Sequence, residues 1–321
     1  MKLYRLILII GLITVFISCK EDEQKIDVSD IAIDYSFDKF HQDFHDATPA
    51  NFSKLRNKYP RFLDKKQSDS IWLSYAKDSL WLALHHEIDS NFGTFKKENE
   101  AITSIFKYVK YYYPSFKAPR VVTYNAGLMN LEHPIIYSDS TLIISVDSYL
   151  GASNKFYSNF PVYLRKSFEK NQIPIQVAQS VAKQTQPKVL HREFIAKMIA
   201  AGQLQYAVSQ FIPSVSEKDL FRYDDKKMQW IQDNEEDIWK YFMEKEYIYS
   251  TDKDLSRRFL EPAPFTKFYM TFDNESPGRV GEWIGYKIVQ SYMKKNAVSL
   301  PDMMATAPSE IFKKSKYKPN R

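Results

Sequence analysis

One cysteine stands in 321 residues. No internal disulfide can form, and a paired-cysteine zinc site or a dithiol redox centre is impossible within one chain. Glycine is scarce as well, at eight residues. The sequence contains no glycine-rich phosphate loop, dinucleotide-binding fingerprint or nucleophile elbow. Few glycines mean few tight hairpins and favour a mainly helical chain. No apolar run reaches the roughly 20 residues that a transmembrane helix needs. No period of about 20–50 residues repeats, and no low-complexity linker divides the chain. Charge of one sign is also missing: 45 basic residues stand against 39 acidic ones, spread along the chain. That balance argues against a dedicated nucleic-acid binder.

What is present begins at the N-terminus. Lys2 and Arg5 precede Leu6 to Ile17, an apolar run of about a dozen residues. A charged start, a short apolar stretch and a small residue before a cleavage point describe a secretory signal. Phe16-Ile17-Ser18-Cys19 resembles a lipobox, in which the thiol is acylated and cleavage leaves the cysteine as residue one. Its Phe is looser than the usual Leu, as in similar boxes of Bacteroidetes lipoproteins. A plain secretory signal is the alternative. The coincidence of the one cysteine with the cleavage point favours lipidation. Several acyl chains together anchor stably where one binds only marginally.

The polar run Lys20 to Lys25 reads as a tether, although its acidic cluster also resembles surface-export signals. The predicted organisation is a signal over 1–18, lipid anchor and tether over 19–29, and one globular domain over 30–321. Loss of Lys2 and Arg5 with the signal lowers the formal charge from +6 to +4. Lys313, Lys314, Lys316, Lys318 and Arg321 crowd the other end. They read as a solvated terminus, with a docking site for anions as the alternative.

Periodicity predicts helices over about 30–46, 51–58, 68–91, 98–113, 175–184, 188–210, 225–248 and 278–295. Arg120 to Tyr124, Ile135 to Tyr137 and Thr141 to Asp147 are rich in Val, Ile and Thr and predict strands, with Ser138-Asp139-Ser140 as a hairpin turn. A small sheet at about 120–147 among packed helices makes the class α+β and helix-dominated. The 22 Tyr, 22 Phe and 5 Trp read mostly as core.

Chemistry is harder to find. The acidic groups Asp224-Asp225 and Glu235-Glu236-Asp237 sit at exposed-looking helical positions, and adjacent carboxylates diverge around a helix. His41 and His45 are four apart and can face the same way toward a metal. Gln42 stands where a zinc protease places its general-base Glu, and two imidazoles make half a zinc shell. Surface histidines are the favoured reading. His85-His86-Glu87 lacks the second metal histidine, for Ser90 occupies its position. His133 and His191 have no recognisable partner.

The second half carries a resemblance. Glu261-Pro262-Ala263-Pro264-Phe265, Asp273-Asn274-Glu275-Ser276-Pro277-Gly278-Arg279-Val280-Gly281 and Trp283-Ile284-Gly285-Tyr286-Lys287-Ile288-Val289 closely resemble the GldB family of gliding-motility lipoproteins. Tyr137-Ser138-Asp139-Ser140-Thr141-Leu142-Ile143-Ile144, Asn234-Glu235-Glu236 and the closing Ile311 to Lys318 are similar too. That family is in turn similar to predicted zinc peptidases whose helix carries His-Glu-x-x-His, with a Glu before a Gly on the next helix.

Carried onto this chain, the resemblance implies a zincin-like scaffold. Gln179 and Lys183 then take the histidine positions, Ser180 the general base and Ala201, before Gly202, the third ligand. All four groups needed for zinc hydrolysis are absent, so the resemblance implies no cofactor and no enzyme. Arg279, Glu282 and Trp283 are candidates for packing or recognition, with an Arg279–Glu282 contact inside the former cleft.

The expected function is a lipid-anchored, non-catalytic envelope protein of gliding motility that holds other gliding or secretion proteins, with the outer membrane favoured. The alternatives are a metal-dependent hydrolase using His41 and His45 with a distant carboxylate, and a periplasmic peptide- or glycan-binding module.

Overall fold

Val121, Val122, Ile143 and Ile144 belong to two β-branched stretches that lie side by side and form the centre of one sheet. The computed structural model describes residues 26–320. The sheet holds β1 (Phe37–Lys39), β2 (Arg120–Tyr124), β3 (Ile135–Ser138) and β4 (Thr141–Ser145), in the order β1-β2-β4-β3. β1 and β4 both run parallel to β2, with Val122 opposite Asp38 and Ile143. β3 and β4 form an antiparallel hairpin that turns through Asp139 at φ 52°.

Helices fill most of the rest. Before β2 come α1 (Phe40–His45), α2 (Phe52–Lys58), α3 (Asp69–Ala76), α4 (Ser79–Phe92) and α5 (Lys96–Tyr112). After β4 come α6 (Val162–Arg165), α7 (Gln172–Thr185), α8 (Phe194–Phe211), α9 (Glu217–Phe221), α10 (Asp225–Asp233), α11 (Glu235–Glu244) and α12 (Asp254–Phe259). The chain closes with α13 (Val280–Lys295), α14 (Leu300–Ala305) and α15 (Pro308–Ser315). The class is α+β and helix-dominated. No helix among the described residues is long and apolar enough to cross a membrane.

Successive strand residues point to opposite faces, so the sheet divides two cores. Val121 and Leu142 join the large core with α5, α7, α8 and α13. Val122 joins a smaller aromatic core with Phe40 and Phe44 of α1, Phe52 of α2 and Tyr59 just after it. Both cores lie within the compact unit Ile31–Arg321.

Several boundaries depart from expectation. The helix predicted over 30–46 starts only at Phe40. Ahead of it the chain is extended, because β1 adds to the free edge of β2 and the Ser36 carbonyl accepts from the Val121 amide at 2.8 Å. The helix predicted over 68–91 breaks at Lys77-Asp78, where the Asp78 carboxylate caps α4 by accepting from the Leu80 and Trp81 amides. The stretch 225–248 likewise divides at Asn234, and α8 begins at Phe194 rather than at 188.

Candidate functional site

The closest helix–helix contact lies between α8 and α13. A Cβ added to Gly285 would stand 1.8 Å from the Met198 carbonyl oxygen, and one added to Gly202 2.2 Å from the Gly285 carbonyl carbon. Two glycines facing each other let these backbones touch, and polar side chains beside them become buried.

Those side chains form a chain of hydrogen bonds. Gln179 on α7 donates from Nε2 to Gln205 Oε1 on α8 at 3.2 Å. Gln205 donates in turn to Glu282 Oε1 on α13. Glu282 Oε2 accepts from Arg279 Nη1 at 2.9 Å, and Arg279 Nη2 reaches the Phe221 carbonyl. Both members of the ion pair are buried, so each needs the other to offset its lost hydration. Arg222, at φ 57°, brings a second guanidinium nearby. Burial, with the Arg279 charge, lowers its pKa to about 10 against the opposing pull of Glu282, and it stays protonated at neutral pH.

Two phenols close the surroundings. Burial raises Tyr149 and Tyr223 far above the ordinary tyrosine range, which keeps both as neutral donors. Tyr149 donates to Gln176 Oε1 at 2.9 Å and Tyr223 to the Gly278 carbonyl at 2.7 Å.

The sequence-derived positions fall unevenly around this chain. Gln179, Arg279 and Glu282 are linked within it. Ser180 and Ala201 are half-buried, and Lys183 is exposed. Gln179 meets Gln205, one helical turn beyond Ala201. Trp283 is fully buried and donates from Nε1 to Glu217 Oε2 at 3.3 Å, while Glu217 Oε1 pairs with Lys287 at 2.9 Å. A zinc ion does not fit these residues. The Gln179 amide is engaged, Ala201 offers no donor atom and Lys183 is a cation.

Gln205 and Arg222 carry no motif and were missed by the sequence reading. Glu235, read as exposed, is buried instead. It accepts from Tyr317 Oη at 2.7 Å and Asn320 Nδ2 at 2.9 Å, and so fastens the basic C-terminal tail.

A second polar cluster sits at the edge of the small core. His41, read as a surface residue, is 3% exposed, and His85 on α4 is 6% exposed. The His45 and His85 rings stack at 3.6 Å between centroids, and His41 lies 6.3 Å from His85. The third imidazole that the sequence did not indicate therefore comes from α4. Burial, reinforced by the neighbouring His85, lowers the His41 pKa to about 3. Burial and His45 lower that of His85.

The fold and the two clusters define a helix-dominated α+β domain in which one polar chain, between α7, α8 and α13, is held by its own side chains. The family model described as gliding motility protein GldB matches residues 21–319, and the chain belongs to that family. It is thus a gliding motility protein. No curated protein and no solved structure matches it. Cys19 lies outside the described residues.

Proposed function

We propose that the protein is a lipid-anchored, non-catalytic component of the gliding-motility machinery. It is held in the cell envelope through Cys19, with the outer membrane favoured, and acts by contact with other gliding proteins or with a coupled secretion system. The family match over residues 21–319 carries this reading. The chain from Gln179 to Arg279 supports its non-catalytic part, because the Gln179 amide, at a position the peptidase resemblance assigns to a zinc ligand, is already engaged by Gln205, and Lys183 and Ala201 offer no ligand at the others.

The test is single-cell gliding and colony spreading in a strain lacking the gene, complemented with the wild type or with Cys19→Ala. Loss of spreading that only the lipidated form restores is the expected result. A deletion strain that glides normally overturns the reading.

One surface groove favours a second reading, a peptide- or glycan-binding module. It has a volume of about 480 Å³ and is lined by Tyr111, Tyr112, Tyr206 and Leu300 among others. Titration of cell-wall oligosaccharides and peptides into the detergent-solubilised chain, read by tyrosine fluorescence, checks it. A response abolished by Tyr111→Ala supports binding in this groove.

A further inference from the structure

A neutral imidazole has one N–H and one lone pair, and the partner of the first fixes the place of the second. At His41 that assignment follows from Thr123. The Thr123 hydroxyl donates to the Asp38 carbonyl at 3.4 Å, so it accepts from His41 Nδ1 at 2.8 Å. The proton is then on Nδ1, and Nε2 is a lone pair. His41 Nε2 is buried with no hydrogen-bond partner.

His85 repeats the pattern with its nitrogens exchanged. Nε2 faces the Asp89 carboxylate at 3.3 Å and carries the proton, while Nδ1 is buried with no partner. Both side chains are more than nine-tenths buried. A cavity of about 10 Å³ lies among His41, His45, His85, Phe44, Trp81 and Asn125. That is room for one water or one ion. Two buried lone pairs without a donor are costly for a fold to keep unless something is meant to bind them.

We propose that His41 Nε2, His85 Nδ1 and the ring of His45 form a binding site for a zinc-class transition-metal ion, oriented by Thr123 and Asp89. The spacing suits it. His41 and His45 on α1, and His85 and Asp89 on α4, are both i, i+4 pairs that share a helix face. Neutral imidazole suits zinc, copper and nickel. Metal-ligating histidines characteristically give their other N–H to a carboxylate or another oxygen; His41 does so to Thr123, and His85 has the Asp89 carboxylate 3.3 Å from its Nε2. The Asp89 and Asp46 carboxylates near His85 offset the charge of the ion.

The rings are close to a shell without forming one. Two imidazoles on one tetrahedral zinc hold their centres about 5 Å apart, given Zn–N bonds of about 2.0–2.1 Å. His41 and His85 at 6.3 Å must close by about an ångström, while His45 must leave the face of His85. Accordingly no three histidine, cysteine or carboxylate groups among the described residues stand in ligating geometry as they are. His45 is only half-buried, which leaves it free to turn. The bound ion would cross-link α1 to α4 across the rim of the small core. The proposal is independent of the gliding function.

The test uses the full-length lipidated chain in detergent, stripped with a chelator and titrated with Zn²⁺ against a chromogenic competitor at pH 7.5. The melting temperature is followed in parallel. The expected result is one Zn²⁺ per chain with a raised melting temperature. Affinity should fall about 10–100-fold in Asp89→Asn and in Thr123→Val, as for other outer-shell partners. His45→Ala should lose the melting shift, and its half-exposed position keeps the variant folded. No uptake of Zn²⁺ overturns the proposal and leaves a buried water in the cavity. Uptake unchanged in both His45→Ala and Asp89→Asn also overturns it and assigns the ion to exposed histidines such as His86 and His133.

Discussion

The buried polar chain between α7, α8 and α13 and the histidine cluster between α1 and α4 differ in how their hydrogen bonds close. In the first, each amide, carboxylate or guanidinium hands on to a neighbour, ending at the Phe221 carbonyl. In the second, His41 Nε2 and His85 Nδ1 are left over. A closed network fixes the packing of the helices that carry it, and a ligand entering it must first break a bond already made. An open one is held in place by its surroundings and keeps capacity to bind. The network between α7, α8 and α13 is thus the less available of the two.

The largest expected effect comes from opening the closed network. Glu282→Ala leaves Arg279 charged, buried and unpaired, and should cost about 3–5 kcal/mol in chemical denaturation. The pair Arg279→Met with Glu282→Leu should recover part of that loss, because it removes both charges. Recovery stays partial, since Gln205 and the Phe221 carbonyl still lose their partners. If Glu282→Ala is neutral, the chain is no scaffold and the contrast fails. Gly285→Ala comes next. The added methyl meets the Met198 carbonyl, so α8 and α13 must separate, at a cost of about 3 kcal/mol.

The open cluster should announce itself through pH. Above pH 6.5 His41 is neutral in both states, and stability is unaffected by it. As pH falls below 6.5 the unfolded chain takes up a proton that folded His41 refuses until about pH 3, so stability drops through that window. The loss between pH 6.5 and 4.5 is about 2–3 kcal/mol. The charges of His85, Lys39 and Asp43 act on the same ring. The informative quantity is therefore the difference in slope between the wild type and His41→Asn, which should be flatter. Equal slopes would mean that His41 is not buried in its neutral form.

Legibility in the sequence followed the range of the interactions. β2, β3 and β4 were readable because Val, Ile and Thr concentrate there and Ser138-Asp139-Ser140 supplies a turn. β1 was not, since Phe-Asp-Lys has no strand character and exists only by pairing with β2 some 80 residues on. Asp78-Ser79 did hold a cap signal, and the α3/α4 break was readable from it. In the site, Arg279 and Glu282 were found through the stretch that carries the family resemblance, and both lie in the observed ion pair. Gln205 has no motif, and its role depends on two other helices. His85 with Asp89 had a readable spacing, but nothing local places that pair beside His41.

The smallest expected effect tests the comparison from outside. Lys183, which the peptidase resemblance was expected to place at a second-histidine position, is exposed near the C-terminal end of α7. The last turn of a helix favours a cation, through partial negative charge on its unpaired carbonyls, by a few tenths of a kcal/mol at an exposed site. Lys183→Ala should therefore change stability by no more than about 0.5 kcal/mol. Colony spreading should match the wild type, because the closed network beneath does not involve this side chain. Normal stability with lost spreading would reveal something the folded interior does not: that the outer face of α7 touches a partner. α7 would then act through its surface, while its interior served only to hold that surface in place.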